Sequence, residues 1–173
     1  MYMEKTVNQQ YIYKGKIVNL RCDDAVLPDG KLCKREIVEH PGGAAILCVQ
    51  DGKVILVRQY RYAYREELLE IPAGKLNRGE DPLDAAVREF EEETGLKAEK
   101  MNLLFTLYPS PGYCDEKIYI YKAEGISAGA QHLDEDEFLS VVRLPVDEAI
   151  EMVKNGEIRD SKTIAALLSL KIS

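Results

Sequence analysis

Histidine is scarce in this sequence, and its cysteines are not paired in any ligating pattern. Two histidines and four cysteines (Cys22, Cys33, Cys48, Cys114) are scattered over 173 residues with no C-x-x-C pair, which excludes the usual zinc spacings. Three of the thiols lie in apolar or strand-like runs, and reduced, mostly buried thiols are expected. Long hydrophobic runs are missing as well: none approaches the roughly 18 residues needed to cross a bilayer. The opening MYMEKTVNQQ has no apolar core of the kind a secretory signal requires, so a cytoplasmic protein is expected. Positive charge is in deficit, 23 Lys+Arg against 30 Asp+Glu, for a net charge of −7. Such a surface repels nucleic acid and anionic membranes, and neither is expected as a partner. A phosphate-bearing substrate would need local arginines or bound cations to offset the repulsion. Internal repeats and low-complexity segments are absent too.

What is present is a soluble composition, 46% hydrophobic and 31% charged, in a chain long enough for one domain that buries roughly 70% of its unfolded surface. The first forty residues read as strands. VNLRCDDAVL and KLCKREIVEH flank the turn Pro28-Asp29-Gly30, and AAILCV and KVILVRQY flank Gln50-Asp51-Gly52-Lys53, both hairpin signals. HPGGA breaks the pattern between them, placing a boundary near Pro41–Gly43. The expected organisation is an N-terminal β element over 1–41 and a main domain over 42–173. A short strand, LLEIPAG, precedes a loop. Further strands are expected around Leu103–Tyr108, Ile118–Ala123 and Leu139–Leu144, with helices over Pro145–Lys154 and Ser161–Leu170. Strands mixed with a few helices suggest an α+β sandwich.

The clearest helix covers 82–94, with Asp81 as N-cap, Pro82 at its first position and Gly95 at its stop. Leu83, Ala86, Val87 and Phe90 form its apolar stripe. Glu89, Glu92 and Glu93 stand at i, i+3 and i+4 and share one face. Like charges at this spacing repel, and only Arg88 and the more distant Lys97 offer nearby positive charge. A solvated acidic face is the bland reading of an EEE run alone. A hard divalent cation bound by carboxylate oxygens is the functional one.

The surroundings favour the second reading. GKLNRGEDPLDAAVREFEEETGL, from Gly74 to Leu96, resembles the Nudix box at Gly74, Glu80, Arg88, Glu89, Phe90, Glu92, Glu93, Gly95 and Leu96. The resemblance implies the Nudix fold, an α/β/α sandwich around a mixed sheet, and hydrolysis at a diphosphate supported by Mg²⁺, with Mn²⁺ as an alternative. It implies that Glu89, Glu93 and the carbonyl of Ala73 ligate metal. Glu92 is then either a ligand and catalytic group or the partner of Arg88, and Arg88 holds the acids together. Pro111, sixteen residues after Gly95, and the segments KREIVEHPGGA, VRQYRYA and LLEIPAGK are similar to the ADP-ribose pyrophosphatase branch. Tyr113, eighteen residues after Gly95, also suits the diadenosine-polyphosphate branch.

That branch implies substrate contacts from Arg35, Glu36, Arg61 and Pro111. Glu70 either contacts substrate or simply ends a strand. In HLDEDEFLSVV the branch implies a general base, assigned to Glu135, and a further metal ligand, assigned to Glu137, with Asp134 and Asp136 as alternatives. Tyr60 and Tyr62 are expected to pack, and His40 and His132 to be structural or exposed. The expected reaction converts ADP-ribose to AMP and ribose 5-phosphate in a homodimer whose residues 1–41 reach across the partner. Two alternatives stand beside it: a Nudix pyrophosphatase for a sugar nucleotide or dinucleoside polyphosphate, and a non-catalytic ADP-ribose-binding module.

Overall fold

Leu27 and Lys31 close the first turn around Pro28-Asp29-Gly30, with Gly30 N donating to Leu27 O at 2.9 Å. In this computed structural model, which describes residues 2–135 and 137–172, that turn joins β2 (Asn19–Val26) to β3 (Leu32–Glu39) in antiparallel register, Val26 facing Leu32. Ahead of them, β1 (Lys5–Lys14) completes a three-stranded sheet in the order β1-β2-β3. Every residue of β1 is exposed. The chain divides into two units, the first comprising Met1–Gly42 and Tyr108–Lys117. Within it the segment 108–117 is tied to β3 by Val38 N to Tyr113 O at 2.7 Å and Asp115 N to Val38 O at 3.1 Å.

The second unit comprises Gly43–Leu107 and Ile118–Ser173. Its strands are β4 (Gly43–Gln50), β5 (Lys53–Arg61), β6 (Glu66–Glu70), β7 (Ala73–Lys75), β8 (Leu96–Leu107), β9 (Ile118–Ala128) and β10 (Leu139–Pro145), and its helices are α1 (Pro82–Thr94), α2 (Val146–Lys154) and α3 (Ser161–Ser169). The sheet runs β10-β5-β4-β9-β8, with β6 on β5 and β7 on β4. The β4–β9 pair is parallel and the others antiparallel, so the sheet is mixed. Asp51 (φ 50°) and Gly52 (φ 71°) turn the β4–β5 hairpin, both in the left-handed region that such a turn requires.

The apolar runs of β4 and β5 have no polar face because both faces are covered. On one side Ala45, Leu47, Val54 and Leu56 pack with Ala149 and Ile150 of α2 and Ala166 and Leu167 of α3. On the other, Ala44, Ile46, Cys48 and Ile55 pack with Ala85, Ala86 and Phe90 of α1. This is the α/β/α sandwich expected of the α+β class.

Several sequence expectations are corrected. LLEIPAG is two strands, β6 and β7: Pro72 has no N–H to donate and its carbonyl instead accepts from Ile46 N at 2.8 Å. β8 begins at Leu96, directly after the helix, because its polar first half alternates on a half-exposed edge strand. Leu83 and Val87 are exposed, and the buried face of α1 is Ala85, Ala86, Glu89, Phe90, Glu93 and Thr94. Tyr60 and Tyr62 are exposed rather than packed, because they straddle the tip end of the β5–β6 hairpin beyond the covered part of the sheet. All four cysteines are free, but only Cys48 is fully buried; the other three are half-buried on the smaller sheet and its loop.

Candidate active site

Local sequence builds the scaffold of α1. Asp81, in extended conformation (φ −68°, ψ 135°), accepts from Leu83 N at 2.8 Å, and Gly95 turns the chain at φ 67° while donating to Glu91 O at 2.8 Å. The last carbonyls of the helix are met from the segment that follows β9. Gln131 Nε2 donates to Glu93 O at 2.7 Å, and His132 N donates to Glu92 O at 3.0 Å. The acidic loop is thereby moored to the end of α1. No basic side chain stands in the last turn of α1, so Glu91, Glu92 and Glu93 oppose the helix dipole as well as each other.

Arg88 answers part of that repulsion. Its Nε and Nη2 donate to Glu80 at 2.9 and 3.1 Å, and its Nη1 donates to Glu89 at 2.7 Å and Glu92 at 2.8 Å. Glu92 is bonded to Arg88 here, one of the two roles open to it. Glu80 also closes the preceding loop, accepting from Asn77 N at 2.7 Å; these bonds to Arg88 and Asn77 hold its carboxyl below the ordinary range.

Glu89 and Glu93 lie deeper. Glu89 is 8% exposed and Glu93 2% exposed. A Cβ on Gly74 would stand 1.9 Å from the Glu89 carboxyl carbon, so only glycine lets that carboxylate rest against the β7 backbone. The Glu93 carboxylate accepts one main-chain bond, from Ala73 N at 3.0 Å. Burial pushes its pKa up to about 8, with Glu89 and Glu137 adding to the rise against the Ala73 bond and Lys162. Glu89 is also raised, by burial first, with Arg88 opposing. Two buried acids that lack enough positive charge form a donor set suited to a hard divalent cation. Among the described residues no three Asp, Glu, His or Cys side chains already converge on one ion-sized point. Two carboxylates with a backbone carbonyl still fit an ion that keeps several waters and takes further oxygens from substrate phosphates.

Glu137 is half-buried, and its backbone N donates to Asp134 O at 3.0 Å. Its charge reaches both Glu89 and Glu93. Glu135 and Asp134 are exposed, and Asp136 lies outside the described residues.

Beside Glu93 sits a second network. Arg61 Nε and Nη2 donate to the two oxygens of Glu70, each at 2.6 Å. Glu70 is 1% exposed and also receives Lys162 Nζ. Burial pushes the Glu70 carboxyl up, yet Arg61 and Lys162 outweigh it and bring it to about 2. Lys162 completes this network, and the sequence pattern did not single it out. A signal for it exists: it stands one turn before Ala166, on the buried face of α3, where a charge needs a partner.

Arg35, Glu36 and Pro111 belong to the first unit. Arg35 pairs with Glu4 through Nε at 2.9 Å and Nη2 at 2.6 Å, and Glu36 is exposed opposite Cys22. Pro111 lines an open recess of about 320 Å³ with Ile37, Tyr108, Tyr113 and Lys117. His40 is half-buried, its Nδ1 accepting from Gly42 N at 3.1 Å, and His132 is exposed, as expected.

Buried, cation-poor carboxylates beside the glycine of β7, on a helix packed over a mixed sheet, form a site suited to a divalent cation. Residues 39–167 match the model of the NUDIX domain, and the chain belongs to the Nudix family of hydrolases. Residues 4–44 match a nucleoside diphosphate sugar hydrolase N-terminal domain. The chain is 44% identical to a methanol dehydrogenase activator of Bacillus methanolicus over 99% of its length and 95% of that protein. It is 43% identical to an ADP-ribose pyrophosphatase of Bacillus subtilis over 98% of its length and 93% of that protein. A solved ADP compounds hydrolase shares the fold, with a TM-score of 0.86 at 22% identity over 98% of this chain and 92% of that one.

Proposed function

We propose that this chain hydrolyses ADP-ribose to AMP and ribose 5-phosphate with Mg²⁺ as its cation. The observation that carries the reading is the Glu89–Glu93 pair, buried on the face of α1 and short of positive charge. Glu89, Glu93, the Ala73 carbonyl and Glu137 would hold the metal. When bound, it offsets the diphosphate's charge and lowers the pKa of a coordinated water. Arg88 keeps Glu89 and Glu92 in place from the side. Glu135 takes a proton from the attacking water, a new P–O bond forms in line, and the bridging P–O bond breaks. Arg61 grips a phosphate, and Glu70 serves by holding Arg61. Arg35, Glu36 and Pro111 are the further substrate contacts.

The relative named ADP-ribose pyrophosphatase, aligned over nearly the whole chain, supports this substrate. The match of residues 4–44 to a nucleoside diphosphate sugar hydrolase domain favours, as a second reading, another nucleotide sugar. The proposal extends to a cytoplasmic homodimer in which residues 1–41 of each protomer help to build the partner's site, and residues 42–173 carry the chemistry. The fully exposed β1, with Val7, Tyr11, Ile12 and Tyr13 uncovered, supports that role; a clean 19.5 kDa species in light scattering would count against it.

The test is a panel of ADP-ribose, a nucleoside diphosphate sugar, NADH and a diadenosine polyphosphate, each with Mg²⁺ and with EDTA. AMP and ribose 5-phosphate released fastest from ADP-ribose, and only with metal, is the expected result. Faster metal-dependent cleavage of another member moves the substrate assignment there. Binding of ADP-ribose without cleavage would make the chain a sensor.

A further inference from the structure

We propose that Lys162 is a positioning residue for this reaction: with Asp160 it locks the Glu70 carboxylate, so that Arg61 presents the free edge of its guanidinium to the substrate's diphosphate. The inference rests on the reading of Arg61 as a phosphate contact.

Arg61 is anchored along one edge only. Nε and Nη2 are spent on Glu70, while among the described residues no side-chain partner meets Nη1. Its side chain is 40% exposed, against 2% for Glu70. A guanidinium held by its inner edge still offers two parallel N–H groups on its outer edge, the geometry that suits a phosphate. The direction of that outer edge is set by whatever fixes the Glu70 carboxylate.

Lys162 fixes it at Oε2, the oxygen that also accepts from Arg61 Nη2. It reaches from the first turn of α3, its side chain 10% exposed, with Nζ bonded to Glu70 and 3.0 Å from Asp160. A buried ammonium is costly unless it is paired, and both of its partners are themselves held. Asp160 caps α3 by accepting from Thr163 N at 2.9 Å and Thr163 Oγ1 at 2.6 Å. Thr163 Oγ1 in turn accepts from Ile71 N at 2.8 Å, the residue after Glu70, which ties the strand end to the helix cap. The charges of Arg61, Lys162, Glu70 and Asp160 sum to zero. Without Lys162, Arg61 alone would face two carboxylates beside the acidic face of α1, and its charge would be drawn inward.

A double-mutant cycle on the full chain, with Mg²⁺ and ADP-ribose, tests this. Lys162→Met is expected to raise KM about tenfold while kcat changes by less than about twofold, the pattern of a lost binding contact. Lys162→Arg should recover most of the loss. In an Arg61→Ala background, Lys162→Met should raise KM no further. The Arg61 Nε–H resonance of the substrate-free protein should exchange with solvent faster in Lys162→Met. Unchanged KM, or the same factor lost in both backgrounds with kcat falling in step, would overturn the proposal. If Lys162→Met does not fold, Asp160→Asn should shift KM in the same direction by a smaller factor, and an unchanged KM there would overturn it too. If the wild type spares ADP-ribose but cleaves another nucleotide sugar, the substrate reading fails and the cycle is decided on that compound. If it cleaves neither, the Nε–H exchange rate decides.

Discussion

Glu93 and Glu70 are the same residue type at nearly the same depth, 2% and 1% exposed, and the protein treats them in opposite ways. Glu70 is met by a guanidinium on both oxygens and by an ammonium on one, and its pKa sits near 2. Glu93 has one backbone N–H and two acidic neighbours, and its pKa rises to about 8. Burial raises both; Glu70 is then met by two cations, whereas Glu93 is met by two like charges and one N–H. Glu70 is therefore complete as the chain folds. Glu93 lacks a cation that the chain itself does not provide, which is the arrangement expected of a metal ligand rather than of a structural ion pair.

Exchanging the two behaviours by mutation sharpens the contrast. Glu93→Gln should lower kcat/KM by on the order of a thousandfold or more, because metal-based charge stabilisation is worth several kcal/mol. It should leave the melting temperature near that of the metal-free wild type at pH 7, where the buried acid is already largely protonated; near-normal turnover would refute the ligand assignment. Glu70→Ala should cost about 3–5 kcal/mol of stability by leaving a buried ion-pair network broken, read by urea unfolding, and should raise KM as well by releasing Arg61. A loss below about 1 kcal/mol would show that water replaces the carboxylate at little cost.

The smallest effect is the most diagnostic. The folded pKa of Glu93 lies above its unfolded value near 4.5, so its contribution to stability is complete below pH 4.5 and is lost as pH rises through about 8. For Glu70 the folded value is lower than the unfolded one, so its contribution is present above pH 4.5 and lost as pH falls toward 2. Metal competes with the proton on Glu93, and stabilisation by Mg²⁺, about 2.7 kcal/mol at a hundredfold excess over Kd, should shrink as pH falls from 8 to 5. Thermal unfolding with Mg²⁺ and with EDTA across that range measures it. A Mg²⁺ effect independent of pH would place the ion elsewhere.

The part of this site that lies within one stretch of chain is legible in the order of its residues. Asp81 and Gly95 bound α1 through bonds to residues two and four positions away, with Pro82 opening the helix, and Arg88 reaches Glu92 one helical turn on. The turns at Asp29-Gly30 and Asp51-Gly52 are local for the same reason. What the residue order conceals is long-range. Leu83 and Val87 read as core, yet the sheet meets α1 one residue further round, at Ala85, Ala86 and Phe90. Nothing near Glu93 announces that residues 129–132 cap its helix, nor does anything near Glu70 announce Lys162, 92 positions later.

The sequence by itself determined the helices and hairpin turns, the spacing of carboxylates on α1 and, through that spacing, the family, because hydrogen bonds within a few residues and a 3.6-residue period need no partner from elsewhere. Only the tertiary structure decided which carboxylate is satisfied and which is left in need of a cation, because burial and charge neutralisation depend on what distant strands and helices bring to the same place.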